Sequence, residues 1–224
     1  MLSRKALDIA PSPTLSIDAK AKRMKKEGKD IIGFGAGEPD FNTSAHIKEA
    51  AIKAINENFT RYTPASGIPE LKEAIISKLF KDNGLKYGPE QIVISNGAKH
   101  SLDNVLAALL NEGDEVIIPA PYWVSYPELV KLNGGIPVIV ETKQEYNYKL
   151  KGPELEKNLS PRTKALILNS PANPTGQVYT RNELEVIASL AVRNNFYIIS
   201  DEVYEKLVYD GQEHISVASM GEDI

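Results

Sequence analysis

Two short apolar segments in the last quarter of the chain end in polar residues of the kind that bind ligands. Residues 164–168 lead into NSPANPTG (169–176), and residues 196–199 lead into SDEVY (200–204). A helix-like segment, 181–195, lies between them, and a right-handed crossover places two such strands side by side and parallel. We therefore expect Asn173 and Asp201 at the same edge of a sheet, where ligands of open α/β proteins bind.

Asn173 and Asp201 carry chemistry that suits a ligand. The Asn173 side chain, held between Ala172 and Pro174, offers a donor and acceptors to a phenolic oxygen or a substrate carboxylate. Asp201 ends an apolar strand, so its carboxylate is expected to be partly buried and to need a cationic partner. A protonated ring nitrogen would serve, through a hydrogen bond of about 1.5–3 kcal/mol. The structural alternatives are an Asn-Pro turn and a salt bridge or helix cap.

Two more strand ends carry residues suited to a phosphorylated ring. NGAK (96–99) opens a helix, whose free N–H groups bind anions. Trp123, the only tryptophan, has a flat indole that stacks on planar rings. Taken singly, these features also fit an ordinary turn and a core tryptophan. Together with Asn173 and Asp201 they predict one ligand, pyridoxal 5'-phosphate (PLP), whose ring nitrogen the carboxylate keeps protonated.

A regular α/β alternation from residue 90 onward must position these side chains. The pattern predicts strands at 91–95, 115–119, 136–140, 164–168 and 196–200, and helices at 100–110, 125–132, 153–159 and 181–195. This spacing favours a mostly parallel sheet with helices on both faces. Upstream we expect an irregular arm (1–14), a helix at 15–27 capped by Thr14 or Ser16, a strand at 31–34, and helices at about 44–57 and 68–82.

Composition excludes several other classes of protein. The chain has 224 residues, 42% hydrophobic and 25% charged, with a net charge of −4 and no basic face, so a nucleic-acid partner is not expected. No apolar run suits a membrane helix and no signal peptide is recognisable, which predicts a cytoplasmic protein. The absence of cysteine excludes thiol chemistry. His46, His100 and His214 show no ligand spacing, so no metal site is predicted.

Motifs distributed along the chain resemble those of class I aminotransferases of PLP fold type I, above all bacterial aspartate aminotransferases. They follow the family's order: GEPDF (37–41), YTPxxG (62–67), NGAK (96–99), PYW (121–123), NSPxNPTG (169–176) and SDEVY (200–204). Each motif is weak alone, but together they are highly specific. The resemblance implies an arm and part of a small domain over residues 1–45. It implies a PLP-binding large domain, incomplete at its C-terminus, over residues 46–224.

The resemblance implies a cofactor-binding role for residues in two of these motifs, NGAK (96–99) and SDEVY (200–204). Gly97, Ala98 and Lys99 are expected to hold the phosphate of PLP. Asp201 is expected to pair with the ring nitrogen, and Tyr204 to hydrogen-bond the 3-oxygen of the ring. Asp201 and Tyr204 are thus the predicted catalytic residues.

The resemblance also implies substrate contacts and a shared site. Gly37 is expected against the substrate carboxylate, Trp123 stacks on the cofactor and borders the substrate, and Asn173 contacts both molecules. Tyr62 is expected to reach the cofactor phosphate of a neighbouring subunit. This arrangement predicts a homodimer in which each site is built from both copies.

One motif of the family does not follow in this sequence. The Schiff-base lysine sits in a Ser-Lys motif downstream of the Asp201 strand, and the printed residues end before such a motif; Lys206 does not stand in it. The arginine that clamps the α-carboxylate is expected later still. Without that lysine the cofactor has no covalent anchor and the reaction no general base. We expect this chain alone to be inactive or nearly so.

The function that follows is PLP-dependent transamination between an L-amino acid and a 2-oxo acid. L-Aspartate and 2-oxoglutarate are the leading substrates, while aromatic amino acids and prephenate stay open. A PLP lyase of the same fold is one alternative. Another is a non-catalytic aminotransferase-like module of a regulator, which the short arm at residues 1–14 disfavours. A dinucleotide site at residues 33–37 is rejected, because the third glycine is one place early for GxGxxG.

Overall fold

The computed structural model describes residues 2–35 and 37–221, which divide into two compact units. The larger unit comprises residues 2–10 with 69–221, and the smaller unit is Pro11–Ile68. The larger unit begins with one helical turn, α1 (Arg4–Leu7). The smaller unit contains α2 (Pro13–Lys26) and α3 (Ala45–Asn56), and neither helix has a fully buried residue.

The rest of the larger unit alternates helices and strands as the pattern predicts. Its elements are α4 (Pro69–Asn83), α5 (Ala98–Leu109), β1 (Glu115–Ala120), α6 (Ser125–Leu132), β2 (Ile136–Glu141), α7 (Gly152–Lys157), β3 (Thr163–Asn169), α8 (Arg181–Asn194) and β4 (Tyr197–Asp201). Short 3-10 turns cover Pro89–Gln91, Gln144–Tyr146 and Val217–Met220. Among the described residues, no helix has both the length and the apolar character that crossing a bilayer requires.

The strands form one four-stranded sheet in the order β2-β1-β3-β4, and every neighbouring pair is parallel. In the β3–β4 pair, Leu166 lies beside Ile198 and Asn169 lies beside Asp201. The carboxyl ends of these two strands therefore meet at one edge, as the strand-helix-strand reading predicted. The predicted fold class, a parallel α/β sheet, is confirmed.

Alternating side chains of the sheet build a core on each face. Ile117 of β1 and Leu166 of β3 face α7 and α8, whereas Val116 and Ile167 face α5 and α6. All of these side chains are at most 1% exposed. Because each removes its apolar surface from water, truncating one to alanine would cost about 2–5 kcal/mol. The helices on both faces thus clamp the strands whose ends form the site.

Two predicted strands are absent from the described structure. Residues 31–34 and 92–95 have no regular secondary structure, although 91–95 was expected to be the first strand of the sheet. A strand exists only through its hydrogen-bonded neighbour, and the described sheet offers neither segment one. Ile92 is nevertheless buried. An apolar sequence of this kind predicts burial, but it does not guarantee pairing.

The beginning of α2 also differs from the prediction. The helix starts at Pro13, and its cap is Ser12, whose Oγ accepts the Leu15 N–H, rather than Thr14 or Ser16. Proline fits the first helical position because its missing N–H would have no helical partner there. The expected irregular arm contains the α1 turn, so residues 1–14 are not wholly irregular.

Helix α8 begins with a capping box whose glutamate also pairs with two lysines. Glu183 accepts hydrogen bonds from the Thr180 N–H and hydroxyl, which completes a capping box. Lys149 and Lys151 also reach its two oxygens, at 2.9 and 2.8 Å. Burial raises the pKa of Glu183, but these hydrogen bonds outweigh it and lower the pKa to about 2. The carboxylate therefore ties the loop before α7 to the start of α8.

Glutamine at position 183 would keep the capping oxygen but lose the charge that pairs with Lys149 and Lys151, so the free energy of unfolding at pH 7 should fall by about 1 kcal/mol. The stabilisation from a depressed pKa is complete above the ordinary value of 4.5 and is lost as the pH falls towards about 2. Urea unfolding at pH 7 and pH 3 would measure it. Glu185→Gln, on the exposed side of the same helix, is the control. An equal loss at both pH values would contradict the ionic origin.

Candidate active site

A cavity of about 320 Å³ lies beyond the carboxyl ends of β3 and β4. The residues that line it come from separate parts of the sequence: Asn96, Gly97, Ala98, Lys99, Trp123, Tyr126, Asn169, Asn173, Asp201, Val203 and Tyr204. The structure therefore brings together every predicted cofactor residue of the larger unit. A larger groove, between α7 and α8, offers less chemistry, because its Glu156 and Arg193 pair with each other at 2.5 Å.

The start of α5 supplies an anion-binding cradle at one end of the cavity. Gly97 adopts φ 81°, a left-handed conformation that glycine tolerates, and no atom lies within 4 Å of where a Cβ would stand. The N–H groups of Ala98 and Lys99 have no acceptor among the described residues. Two free donors at a helix N-terminus match what a phosphate group requires.

Trp123 forms a flat wall of the same cavity. The Lys99 Nζ lies 5.0 Å from the centroid of the indole, over the ring. The edge of Tyr126 supports the indole from another side, with ring centroids 5.4 Å apart and an interplanar angle of 84°. Tyr126 therefore supports the indole at one side, while the Lys99 ammonium lies over its face.

The Asp201 carboxylate is part-buried and receives only neutral donors. Its Oδ2 accepts the Tyr126 hydroxyl at 2.7 Å, and its Oδ1 accepts the Val203 N–H at 3.2 Å. No arginine, lysine or histidine among the described residues forms an ion pair with it. The structural alternative of a salt bridge is therefore not seen in the described part of the chain. A part-buried carboxylate without a cationic partner favours a cationic ligand.

Asn169 links the two strand ends, a role that the sequence did not reveal. Its Nδ2 donates to the Asp201 carbonyl at 2.8 Å, and its Oδ1 accepts the Asn173 N–H at 2.6 Å. One side chain thus fixes the backbone at both polar residues predicted to face the ligand. Local sequence could not show this, because the Asp201 partner is 32 residues away.

Gly37 and Tyr62 belong to the smaller unit. Both are exposed, and the Tyr62 side chain is exposed at 108% of its reference area. Their predicted contacts with substrate and with a neighbouring subunit's phosphate stay predictions.

A second polar cluster, which sequence spacing did not reveal, lies just after β4. Glu202, Glu205 and His214 each place a ligand-type atom within 4.8 Å of the others. Protein groups already satisfy the acids: Ser200, Ser216 and His214 bond Glu202, and Lys78 pairs with Glu205 at 2.5 Å. Burial raises the pKa of Glu202, yet the hydrogen bonds, first that of His214, outweigh it and the pKa is lowered. The cluster anchors the segment that follows Asp201.

The residues that line the cavity fit PLP in the chemistry that they offer. The free N–H groups of the α5 cradle suit its phosphate, the Trp123 indole suits its ring, and the uncompensated Asp201 carboxylate suits a protonated ring nitrogen. Asn173 and Tyr204 add a polar amide and a hydroxyl to the same lining. A single phosphorylated pyridine would satisfy these groups together.

Comparison with known proteins agrees with this fold. A parallel sheet with a ligand cavity beyond its strand ends defines an open α/β protein. The sequence model of the family Aminotransferase class I and II matches residues 29–224. The chain therefore belongs to this family, whose members use PLP.

Individual relatives are aminotransferases of similar sequence but greater length. The chain is 54% identical to an aspartate aminotransferase of Bacillus sp. (strain YM-2), over 100% of this chain and 57% of that protein. It is 48% identical to a probable aspartate/prephenate aminotransferase of Aquifex aeolicus, again over 100% and 57%. The aspartate aminotransferase of Thermus thermophilus with maleate superposes with a TM-score of 0.95 at 46% identity, covering 98% and 57%. The chain thus spans little more than half the length of these relatives.

Replacing Asn169 by alanine should uncouple the ends of β3 and β4. We expect a loss of about 1–3 kcal/mol in the free energy of unfolding, because the Asn173 N–H loses its acceptor and the Asp201 carbonyl keeps only the Ser170 N–H. Urea unfolding measures the loss. The control is Asn194→Ala, which removes a single bond to the Leu190 carbonyl within one helix. An Asn169→Ala loss no greater than that of the control would contradict the linking role.

Proposed function

We propose that this chain supplies the cofactor-binding part of a PLP-dependent aminotransferase that, in the full-length protein, exchanges an amino group between L-aspartate and 2-oxoglutarate. One observation carries the proposal: a single cavity combines the helix cradle, the indole wall and a part-buried carboxylate that has no cation among the described residues. The expectation that these 224 residues alone have little or no activity stays a prediction.

Each residue contributes to binding or to proton placement. PLP, when bound, supplies an electron sink for negative charge at the substrate α-carbon. The Ala98 and Lys99 N–H groups would hold the phosphate, and the Trp123 indole would stack on the ring. The Asp201 carboxylate would accept a hydrogen bond from the protonated ring nitrogen. Tyr204 and Asn173 would bind the 3-oxygen, and Asn173 would also contact the substrate.

The choice of substrates rests on the names of the relatives. Relatives at 54%, 51% and 48% identity are named aspartate aminotransferases. Others at 48% and 47% are named for aspartate and prephenate together. Prephenate is therefore the second candidate amino acceptor. Initial rates of the full-length protein with aspartate, aromatic amino acids and prephenate would separate these substrates, and β- or γ-elimination without transamination would favour a lyase instead.

A homodimer with shared sites belongs to the same proposal. The smaller unit exposes large aromatic side chains, with Phe34, Phe41 and Tyr62 at 93%, 87% and 108% exposure. Exposed aromatic residues at this density are typical of surfaces that another protein covers. We take the second copy as the partner and Tyr62 as the residue that reaches the phosphate in it.

Asp201→Asn should weaken PLP binding about tenfold or more, because it removes a charge-assisted hydrogen bond. Trp123 is the only tryptophan, so quenching of its fluorescence by PLP reports binding directly. Asp210→Asn, an exposed aspartate further along the same segment, is the matched control. Unchanged affinity in the Asp201 variant would remove this residue from the ring-nitrogen role.

Mixing two inactive variants of the full-length protein tests the shared site. In a hybrid of Tyr62→Ala and Asp201→Ala subunits, one site would combine the intact Asp201 of the first subunit with the intact Tyr62 of the second. We therefore expect transaminase activity to return after mixing and to stay absent in each variant alone. No recovery, in hybrids verified by mass spectrometry, would place Tyr62 in its own subunit's site or outside the site.

A further inference from the structure

Tyr126 joins two walls of the cavity, and no motif in the sequence drew attention to it. It is the second residue of α6 and is only 3% exposed. Its hydroxyl donates to Asp201 Oδ2 at 2.7 Å, while its ring edge supports the Trp123 indole. This buried phenol therefore contacts both the Asp201 carboxylate and the Trp123 indole, and it can fix the orientation of each.

We propose that Tyr126 is a positioning residue that acts through Asp201: its O–H aims the carboxylate at the ring nitrogen of the cofactor, while its ring supports the Trp123 wall. The inference rests on the proposed function, because it takes PLP as the ligand. It adds a residue whose hydroxyl sets the direction of the carboxylate that would bind the ring nitrogen. Tyr126 itself need not touch the cofactor for this role.

The argument follows from the donors around Asp201. A short hydrogen bond to one carboxylate oxygen restricts the rotation of the whole group and so fixes the direction in which it accepts further hydrogen bonds. Among the described residues, the donors to this carboxylate are the Tyr126 hydroxyl and the Val203 N–H, at 2.7 and 3.2 Å. The shorter hydrogen bond, from the Tyr126 hydroxyl, can be removed by a side-chain substitution, whereas the bond from the Val203 backbone cannot. Without the Tyr126 hydroxyl, the carboxylate is free to turn away from the ring nitrogen, whose proton then loses its acceptor.

Tyr126 is suited to act as a permanent donor. Burial raises the pKa of its hydroxyl, and the negative charge of Asp201 raises that pKa further. The phenol therefore stays protonated at neutral pH and gives its only proton to the carboxylate. A residue that ionised in this range would instead repel Asp201.

Phenylalanine at position 126 separates the hydroxyl from the packing. Tyr126→Phe keeps the ring that supports Trp123 and removes only the donor. The matched control is Tyr179→Phe, which also loses a hydroxyl from a buried ring, here 4% exposed. That hydroxyl accepts the Leu150 N–H at 2.8 Å and is not a partner of Asp201. A purely structural effect would appear in both variants.

The test is the ¹⁵N resonance of PLP labelled at its ring nitrogen and bound to the full-length protein. In the wild type we expect the resonance at the pyridinium position. Tyr126→Phe should move it towards the neutral-pyridine position, whereas Tyr179→Phe should leave it unchanged. Site-specific 3-fluorotyrosine at position 126 keeps a donor of nearly the same size, so it should leave the resonance at the pyridinium position.

The remaining outcomes would overturn either the positioning role of Tyr126 or the proposed function. An unchanged resonance in Tyr126→Phe, or equal shifts in both phenylalanine variants, overturns the positioning role and leaves the proposed function intact. If Tyr126→Phe does not fold, the fluorotyrosine protein decides, and a shift towards neutral pyridine contradicts the inference. Failure of the wild type to retain PLP overturns the proposed function, and the inference with it.

Discussion

The parallel pairing of β3 with β4 is the constraint on which the rest of the site depends. Because the two strands run in the same direction and in register, Asn169 lies directly beside Asp201 at the edge where both strands end. The Asn169 side chain then bonds the backbone at Asp201 and at Asn173. A shift of one residue in this pairing would turn Asp201 to the opposite face of the sheet.

The two-sided core makes that pairing rigid. Side chains of β1 and β3 alternate between the faces, and helices cover both of them, so neither strand can slide without exposing apolar surface. The polar residues follow where the buried segments stop. A site built on such strand ends is positioned more precisely than one carried by a free loop. This suits a ligand whose phosphate, ring face and ring nitrogen must each meet a different protein group.

The sequence predicted the site best where a polar residue directly follows an apolar run. An apolar run that ends in Asp201, and a second that leads to Asn173, predicted a shared edge because crossover handedness leaves little choice. The segment 92–95 was misread, since strand character depends on a neighbour that local sequence does not contain. Tyr126 and Asn169 were missed for the same physical reason: their partner at Asp201 lies 75 and 32 residues away.

The charge of Asp201 determines which kind of ligand the cavity prefers. An ionised carboxylate in a partly buried cavity loses hydration, and neutral donors such as a phenol and an amide replace only part of it. Among the described residues, no protein cation offsets this charge. A lysine or arginine paired with the carboxylate would remove its preference for a protonated ligand. At the sheet edge, the carboxylate is instead oriented by two neutral donors, and no cation in the described part of the chain pairs with it. A protonated ring nitrogen should therefore bind better than a neutral one.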